Sequence, residues 1–309
     1  MISCTDFIPA YSELFCFLDE NYGRQTVDKL WTALFKPQGD QGIPLINFVE
    51  REGIRGCFTY WSGTLSEEAA EFSMYCSPEK GYFYIEMHKC PSKGRLLAEQ
   101  EKMGLKPFRD YCFHCDQYRQ AVEKVGLKYI YNFSGIDRAA CNLLIYDEAL
   151  FQGQVIVDEN TLVMKRKASD NAYFHPDFHS TFNHGLAFVG ENYGEAAVVA
   201  YLTRYAKVVL APVIEAIQKE GLPALRAHLL DTYRREKAEA AITLTEAGDT
   251  LTMTEHYDPC EKYLKDTGKK ISPYLALVTP VVLKTLAAEG GLTFQNPAPG
   301  CYTFTVRAF

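Results

Sequence analysis

Two short segments of the sequence recur further along the chain, in the same order and at the same separation. Asp6-Phe7 recurs as Asp177-Phe178, and Glu20-Asn21-Tyr22-Gly23 recurs as Glu191-Asn192-Tyr193-Gly194. Later matches have smaller separations, which indicates shorter loops in the second copy: Cys90 with Cys260, Gly126-Leu127 with Gly291-Leu292, and Cys141 with Cys301. A repeat of this length determines the architecture, because each copy is expected to follow the same chain path.

The repeat predicts two homologous copies, at residues 1–150 and 172–309, joined by a linker at residues 151–171. The segment from Asp147 to Asp170 has β-branched apolar residues on both sides of a polar turn, which predicts one or two further strands. Duplication of a dimerising unit reproduces a two-fold interface within one chain. We therefore expect the two copies to pack as a pseudo-symmetric pair.

Each copy shows the same order of helix and strand patterns. A first helix ends at Gly23 or Gly194, where glycine supplies a positive φ angle, and a second helix follows. Pro212 is expected to kink or divide the second helix of the second copy. A β-hairpin, another helix and a final pair of strands complete each copy. These patterns predict an α+β fold in which helices lie on one side of small antiparallel sheets.

Charge and hydropathy argue against several classes of protein. The chain has 32 Lys and Arg residues against 39 Asp and Glu residues, a net charge of −7, which is unlike a protein that neutralises the phosphates of nucleic acid. The longest apolar run, residues 197–217, contains three charged residues, and the N-terminal segment lacks the basic region of a signal peptide. We therefore expect a cytoplasmic protein with no membrane span and no nucleic-acid partner.

Cysteines are concentrated in the first copy. Eight of the ten lie at or before Cys141, and without a secretory signal they are expected to be free thiols. Cys112 and Cys115 have CxxC spacing at the start of a predicted helix, where two thiolates can bind one metal ion and a thiol pKa is lowered. With Cys90 they supply three soft ligands for zinc or iron and leave a fourth position open, and His114 lies between them.

The alternative is that these cysteines are small core residues, since free cysteine is among the most buried residue types. The second copy has Leu277 opposite Cys112 and Pro280 opposite Cys115, so the fold itself does not require these two thiols. Cys141 begins the last strand of the first copy, as its counterpart does in the second. We expect this shared cysteine to be a packing residue.

The second copy has a polar cluster of its own, an HxDxH pattern formed by His175, Asp177 and His179. Pro176 suits the first turn of a helix, which would place His175 at the cap. Two imidazoles and a carboxylate are adequate for metal ligation, or for a general base oriented by an acid. The alternative is an exposed helix start, in which Asp177 complements the helix dipole.

One part of the chain carries a family resemblance. The matching residues lie between about residues 56 and 146: Cys90-Pro91, Tyr111-Cys112-Phe113-His114-Cys115 and Cys141-Asn142-Leu143-Leu144-Ile145-Tyr146. Their order, a hairpin ending at cysteine, a helix with cysteines and a strand that begins with cysteine, resembles the L-2-amino-thiazoline-4-carboxylic acid hydrolase family. More distantly it is similar to the four-vinyl-reductase domains related to TRAPP subunits. The resemblance implies hydrolysis of a C–N bond in a small heterocycle, and for the distant relatives the binding of a small molecule.

We therefore expect a hydrolase or lyase that acts on a small heterocyclic or carboxylated substrate. The expected catalytic residues are Cys112, Cys115, His175, Asp177 and His179. The expected ligands of zinc or iron are Cys90, Cys112, His114, Cys115, His175 and His179. Because each polar cluster occurs in one copy alone, we expect the two clusters to meet where the copies join. The other hypothesis is a non-catalytic small-molecule sensor or accessory protein, and a homodimer is left open.

Overall fold

The computed structural model describes residues 1–36 and 44–306 and shows an α+β protein with two small antiparallel sheets. The helices in the described residues are α1 (Phe7–Tyr22), α2 (Arg24–Leu34), α3 (Leu45–Glu52), α4 (Ile54–Glu67), α5 (Pro91–Met103), α6 (Arg119–Lys124), α7 (Phe178–Tyr193), α8 (Glu195–Val209), α9 (Ala211–Glu220), α10 (Leu222–Arg235), α11 (Pro259–Asp266) and α12 (Val278–Glu289). The strands are β1 (Glu71–Ser77), β2 (Tyr82–Lys89), β3 (Lys128–Asn132), β4 (Cys141–Tyr146), β5 (Leu162–Arg166), β6 (Ile242–Ala247), β7 (Thr250–Glu255), β8 (Leu292–Ala298) and β9 (Cys301–Val306).

The chain forms two compact units. The discontinuous unit consists of Met1–Gly23 and Pro176–Phe309, and the continuous unit consists of Arg24–His175. These units differ from the linear copies 1–150 and 172–309, because α1 belongs to the same unit as the second copy. Residues 37–43 of the first copy and 307–309 of the second lie outside the described residues.

The two sheets have related strand orders. In the continuous unit the order is β3-β4-β2-β1-β5, and in the discontinuous unit it is β6-β7-β9-β8. When the second order is read from its other end, its four strands correspond to the first four strands of the continuous unit. In both, the second strand of the hairpin pairs with the last strand of the copy, β2 with β4 and β7 with β9. The fifth strand, β5, is the predicted linker strand, and it pairs with the outer edge of β1.

The core of the continuous unit follows from the period-two pattern of its strands. Phe72, Met74 and Cys76 alternate along β1 and are all buried, and they face the same core as buried residues of β2, β4 and α4. Trp61 of α4 stacks on Phe83 of β2 with ring centroids 5.3 Å apart. The sheet therefore presents one apolar face to the helices.

Glycine ends the first helix in both copies, as predicted. Gly23 has a φ angle of 85° and Gly194 a φ angle of 84°, which a residue with a Cβ rarely adopts. Near each end an asparagine side chain donates a hydrogen bond of 2.8 Å to the carbonyl four residues earlier, from Asn21 and Asn192 respectively. Before Pro212 the predicted long helix is divided into α8 and α9, which are bent by 69°.

Helices α1 and α7 of the discontinuous unit contact each other through residues that the repeat places in correspondence. Phe7 stacks on Phe178 at 4.4 Å near one end of the pair, and Tyr22 stacks on Tyr193 at 3.7 Å near the other. The two helices are therefore parallel along their length. Between these contacts Gly185 leaves room for Leu14, since a Cβ at Gly185 would come within 2.9 Å of the Leu14 side chain.

One helix differs from its sequence-based expectation. The predicted helix from Tyr111 to Val125 begins as a 3-10 helix, Tyr111–Tyr118, and becomes α-helical only in α6.

None of the described helices is by itself both long and apolar enough to cross a bilayer. The bent pair of α8 and α9 meets the criteria of length and composition only when the two helices are taken together.

Candidate metal centres

Four cysteines of the continuous unit line one cavity of about 30 Å³: Cys90, Cys112, Cys115 and Cys141. They come from three separate segments of the chain. A water molecule needs roughly 10–15 Å³ of such space, so the cavity accommodates one ion with at most a water or two, and it is too small for a heterocyclic substrate. Three of these thiols are the predicted soft ligands, Cys90, Cys112 and Cys115. Cys141 is a fourth thiol that lines the same cavity.

The strand pairing explains how these residues meet. Cys90 follows β2 directly and is the N-cap residue of α5, where its sulfur accepts a weak hydrogen bond of 3.4 Å from the Lys93 amide. Cys141 begins β4, which pairs with β2. The Cys90 amide donates a 2.6 Å hydrogen bond to the Ala139 carbonyl, which ties the two segments together. Cys112 lies in the 3-10 helix Tyr111–Tyr118, which carries both CxxC thiols.

The four sulfurs are more widely spaced than the ligands of one bound ion. Within the described residues, a different group has three ligand atoms of Cys, His and Glu within 4.8 Å of one another, and it is described below. Sulfurs that bind zinc tetrahedrally at about 2.3 Å lie roughly 3.8 Å apart. Side-chain rotation would therefore be needed to bring all four thiols onto one ion.

The thiols of this cavity are protonated in the absence of a metal. Burial raises the pKa of Cys112 to about 11 and raises the pKa values of Cys90, Cys115 and Cys141 as well. The expectation that a helix N-terminus lowers these pKa values is wrong, because the CxxC segment is a buried 3-10 helix and desolvation disfavours the thiolate. The buried Lys93 also lines the cavity and acts to lower the pKa of Cys112, but burial outweighs it. A thiolate nucleophile at neutral pH would require a stronger positive charge at the site.

His114 is paired with Cys115. Its Nδ1 lies against the Tyr111 carbonyl, which can only accept, so Nδ1 carries the proton and Nε2 is left as an acceptor. The Cys115 sulfur lies 3.6 Å from this Nε2. Burial lowers the pKa of His114 to about 4, so the imidazole is neutral and does not ionise the thiol.

Cys141, which the sequence predicts to be a packing residue, lines the same cavity as the CxxC thiols. Its sulfur accepts a 3.0 Å hydrogen bond from the Tyr131 hydroxyl, a contact that favours the thiolate and partly offsets burial. Spacing alone does not reveal this position, because Cys141 reaches the cavity through the pairing of β4 with β2. A prediction of that pairing, together with Cys90 at the end of β2, would have indicated it.

The predicted HxDxH residues have separate partners. His175 belongs to the continuous unit, and its Nδ1 lies 2.6 Å from a carboxylate oxygen of Glu67. Asp177 is the N-cap residue of α7, so His175 does not occupy the predicted cap position. The Asp177 carboxylate accepts hydrogen bonds from Ser180 at 2.9 Å and from Lys269.

His179 belongs to a second, buried group in the discontinuous unit, formed with Cys4 and Glu236. Their relative exposures are 2%, 2% and 6%, and the three ligand atoms lie within 4.8 Å of one another. His179 Nε2 is 2.6 Å from Glu236 Oε1, and the other carboxylate oxygen accepts hydrogen bonds of 2.8 Å from the Ser3 hydroxyl and the Cys4 amide. Burial acts to raise the pKa of Glu236, but His179 and these two donors outweigh it and hold the pKa below its usual value.

The sequence identified only His179 of this group. Cys4 and Glu236 are 232 positions apart in the sequence and show no motif spacing. In the sequence, the feature that could have drawn attention to Cys4 is its position just before the first repeated segment, Asp6-Phe7.

The discontinuous unit also contains a larger cavity of about 690 Å³. This volume lies within the range of roughly 300–1,000 Å³ that small-molecule sites have in proteins. Its lining includes the carboxylates of Glu255, Asp258 and Glu261 beside the ring of Tyr302. Such a lining favours a neutral or cationic ligand over a carboxylate.

The prediction that the thiols meet His179 joins residues of two different units, and it stays a prediction. Comparison with known proteins adds no assignment. No protein-family model matches the chain, and no curated protein and no solved structure shows significant similarity to it.

Proposed function

We propose that the protein is a metal-binding protein in which Cys90, Cys112, Cys115 and Cys141 hold a zinc or iron ion in the continuous unit. The observation that carries this proposal is the shared cavity of about 30 Å³ that all four thiols line. Four thiols are a complete ligand set for structural zinc, and thiolates also suit iron.

Metal binding accounts for this cluster better than a bare thiol nucleophile does. Burial holds the four thiols protonated, and His114 is too weak a base to ionise Cys115. A divalent cation deprotonates a coordinating thiol outright. The donor set suits such an ion and the cavity has room for one, and rotation of the side chains would bring the sulfurs close enough to bind it.

The ligand count distinguishes two functions. An ion bound by all four thiols has no position left for a substrate, which favours the non-catalytic sensor or accessory protein. The cavity of about 690 Å³ in the discontinuous unit then supplies room for the small molecule.

The hydrolase suggested by the family resemblance is the second candidate. The hydrogen bond from Tyr131 to the Cys141 sulfur favours it, because this contact can keep Cys141 away from the ion. Zinc bound by Cys90, Cys112 and Cys115 alone would keep an open position. The cavity would have to widen to admit a heterocyclic substrate, on whose C–N bond the ion would then act as a Lewis acid. The chain's own contribution would be to hold the ion and to place the Tyr131 hydroxyl beside that position, where the water that is consumed in hydrolysis would also bind.

We also propose that the chain arose by duplication and that its copies are related by a pseudo-two-fold axis. The corresponding strand orders support this proposal, as does the pairing of Phe7 with Phe178 and of Tyr22 with Tyr193. Contact between equivalent residues is the mark of an isologous interface. A matching hydroxyl–histidine pair occurs in each hairpin, Ser73 with His88 at 2.9 Å and Thr243 with His256 at 2.8 Å.

The metal site is tested by elemental analysis of protein purified without chelator. Cys112→Ala combined with Cys115→Ala should lose one equivalent of zinc or iron relative to the wild type, because two ligands are removed. The matched control is Cys57→Ala combined with Cys76→Ala, which removes two buried thiols of the same unit that do not line the cavity. Unchanged metal content in the first double variant, with a native circular dichroism spectrum, would refute the proposal.

Cys141→Ala separates the two candidate functions. If four thiols bind the ion, this variant should lose the metal to a chelator concentration that the wild type withstands. If three thiols bind it, the variant should keep the metal, and the wild type should hydrolyse 2-amino-thiazoline-4-carboxylate. Hydrolysis by a variant that lacks both CxxC thiols would contradict both the four-thiol site of a sensor and the three-thiol site of a hydrolase.

A further inference from the structure

Three buried side chains of the discontinuous unit form a compact set of metal ligands at a distance in sequence from the CxxC motif. Cys4 lies in a short 3-10 helix before α1, His179 lies in the first turn of α7, and Glu236 follows the last residue of α10. Three separate segments thus bring a sulfur, an imidazole nitrogen and a carboxylate oxygen within 4.8 Å of one another. Each is a common ligand of zinc.

The spacing of the ligand atoms fits one ion after a small adjustment. Nitrogen and oxygen ligands at about 2.0–2.1 Å from a tetrahedral zinc ion lie roughly 3.3 Å apart. His179 Nε2 and Glu236 Oε1 are 2.6 Å apart, so they would separate by less than about 1 Å.

The carboxylate is already fixed in a ligating orientation. Glu236 Oε2 accepts hydrogen bonds of 2.8 Å from both the Ser3 hydroxyl and the Cys4 amide, which leaves Oε1 directed at His179. Outer hydrogen bonds of this kind orient ligating side chains in metal sites.

Charge balance gives a second argument. A buried carboxylate requires a compensating positive charge. The Cys4 sulfur lies within 4.8 Å of the ligand atoms of both His179 and Glu236, and Cys4 is 2% exposed. A dication bound by neutral His179, the Cys4 thiolate and ionised Glu236 makes the cluster neutral and uses all three groups.

We propose that Cys4, His179 and Glu236 form a second zinc site, which joins the N-terminal segment to α7 and to the end of α10. This site is independent of the four-thiol site, because none of its ligands belongs to the continuous unit. With three protein ligands, the fourth position is taken by a small exogenous ligand such as water.

The experiment uses the full chain and counts zinc in each variant. The wild type should hold two equivalents, and Cys4→Ser and Glu236→Gln should each hold one. Glutamine has the shape of glutamate and can keep the hydrogen bonds from Ser3 and Cys4, so Glu236→Gln should retain a native circular dichroism spectrum. The control is Cys16→Ser, which changes a half-buried thiol of α1 in the same unit and should keep both equivalents.

Cobalt provides an independent readout that identifies the ligand. In protein that carries Cys112→Ala and Cys115→Ala, added Co²⁺ should give a thiolate-to-cobalt charge-transfer band at one equivalent. The additional change Cys4→Ser should abolish this band, and Cys16→Ser should leave it unchanged.

Two results would overturn the proposal. One is an unchanged zinc content in both Cys4→Ser and Glu236→Gln. The other is a cobalt band that persists without Cys4. Loss of zinc only from the CxxC variant would support the first site and refute the second, so the two proposals fail separately.

Discussion

His184 of α7 has a ring nitrogen, Nε2, that is buried without a hydrogen-bond partner in the part of the chain that the structure describes. Burial lowers the pKa of His184 to about 4, and the nearby Lys269 acts in the same direction while Asp177 opposes it. In the unfolded chain a histidine titrates near 6.5, so the unfolded state binds the extra proton between these two values. The stability of the fold therefore decreases as the pH falls from about 6.5 to about 4.

His184→Gln should flatten this part of the stability profile. We expect the wild type to lose about 1–3 kcal/mol over the interval through this residue, and the variant to lose correspondingly less. Urea unfolding at a series of pH values measures the difference, and His256→Gln, a change at an exposed histidine, is the control. If the unfolding free energies of the wild type and His184→Gln depend on pH in the same way, the folded protein binds a proton at His184 as readily as the unfolded chain does. That result would contradict the prediction.

At the level of secondary-structure elements, α5 and α11 occupy corresponding places but begin with different caps. Each follows the second strand of a hairpin and has proline in its first turn. Asp258 caps α11 by accepting a 3.0 Å hydrogen bond from the Glu261 amide, whereas Cys90 caps α5 through a weaker sulfur contact of 3.4 Å. The cysteine is a poor cap, which is consistent with a role as a metal ligand.

The two caps predict different effects of alanine. Asp258→Ala should cost about 1 kcal/mol of unfolding free energy, with or without a chelator, because only the cap is lost. Cys90→Ala should have a small effect in metal-free protein and a larger one in metal-loaded protein, since the stabilisation by bound metal is lost as well. Denaturant unfolding with and without EDTA checks both. An effect of Cys90→Ala that is equal in the two conditions would argue against ligation by Cys90.

Element order was the part of the structure that the sequence predicted well. The glycines after the first helices, the division before Pro212 and the linker strand β5 all depend on local backbone chemistry, which a sequence pattern can show. The site was predicted only in part. Cys141 reaches the cavity through strand pairing, and Cys4 meets Glu236 through tertiary packing, and neither leaves a periodic or spaced signal.

At the scale of the whole molecule, α1 is separated in sequence from the unit that it stabilises. Its residues Leu14, Phe15 and Leu18 are at most 2% exposed and lie in the discontinuous unit, whose remaining residues follow only after the whole continuous unit. Burial of these side chains contributes to the stability of residues 176–306, although they belong to the first copy of the repeat.

Phe15→Ala should therefore weaken the discontinuous unit selectively. Truncation of a buried phenylalanine costs about 3–5 kcal/mol, so amides of α7 and α8 should exchange hydrogen faster, while those of β1 and β2 should change little. Phe83→Ala, at an equally buried position of β2, is the matched variant and should give the reverse pattern. Equal loss of protection in both units from either variant would contradict the division.

The most direct test of the four-thiol site is zinc X-ray absorption on the full chain carrying Cys4→Ser, which removes the second site from the signal. We predict a zinc ligand shell of four sulfurs at about 2.3 Å, which would assign Cys90, Cys112, Cys115 and Cys141 together. Three sulfurs with one oxygen would assign the open, hydrolase-type site instead. A shell dominated by nitrogen and oxygen, or protein that binds no zinc, would contradict the account.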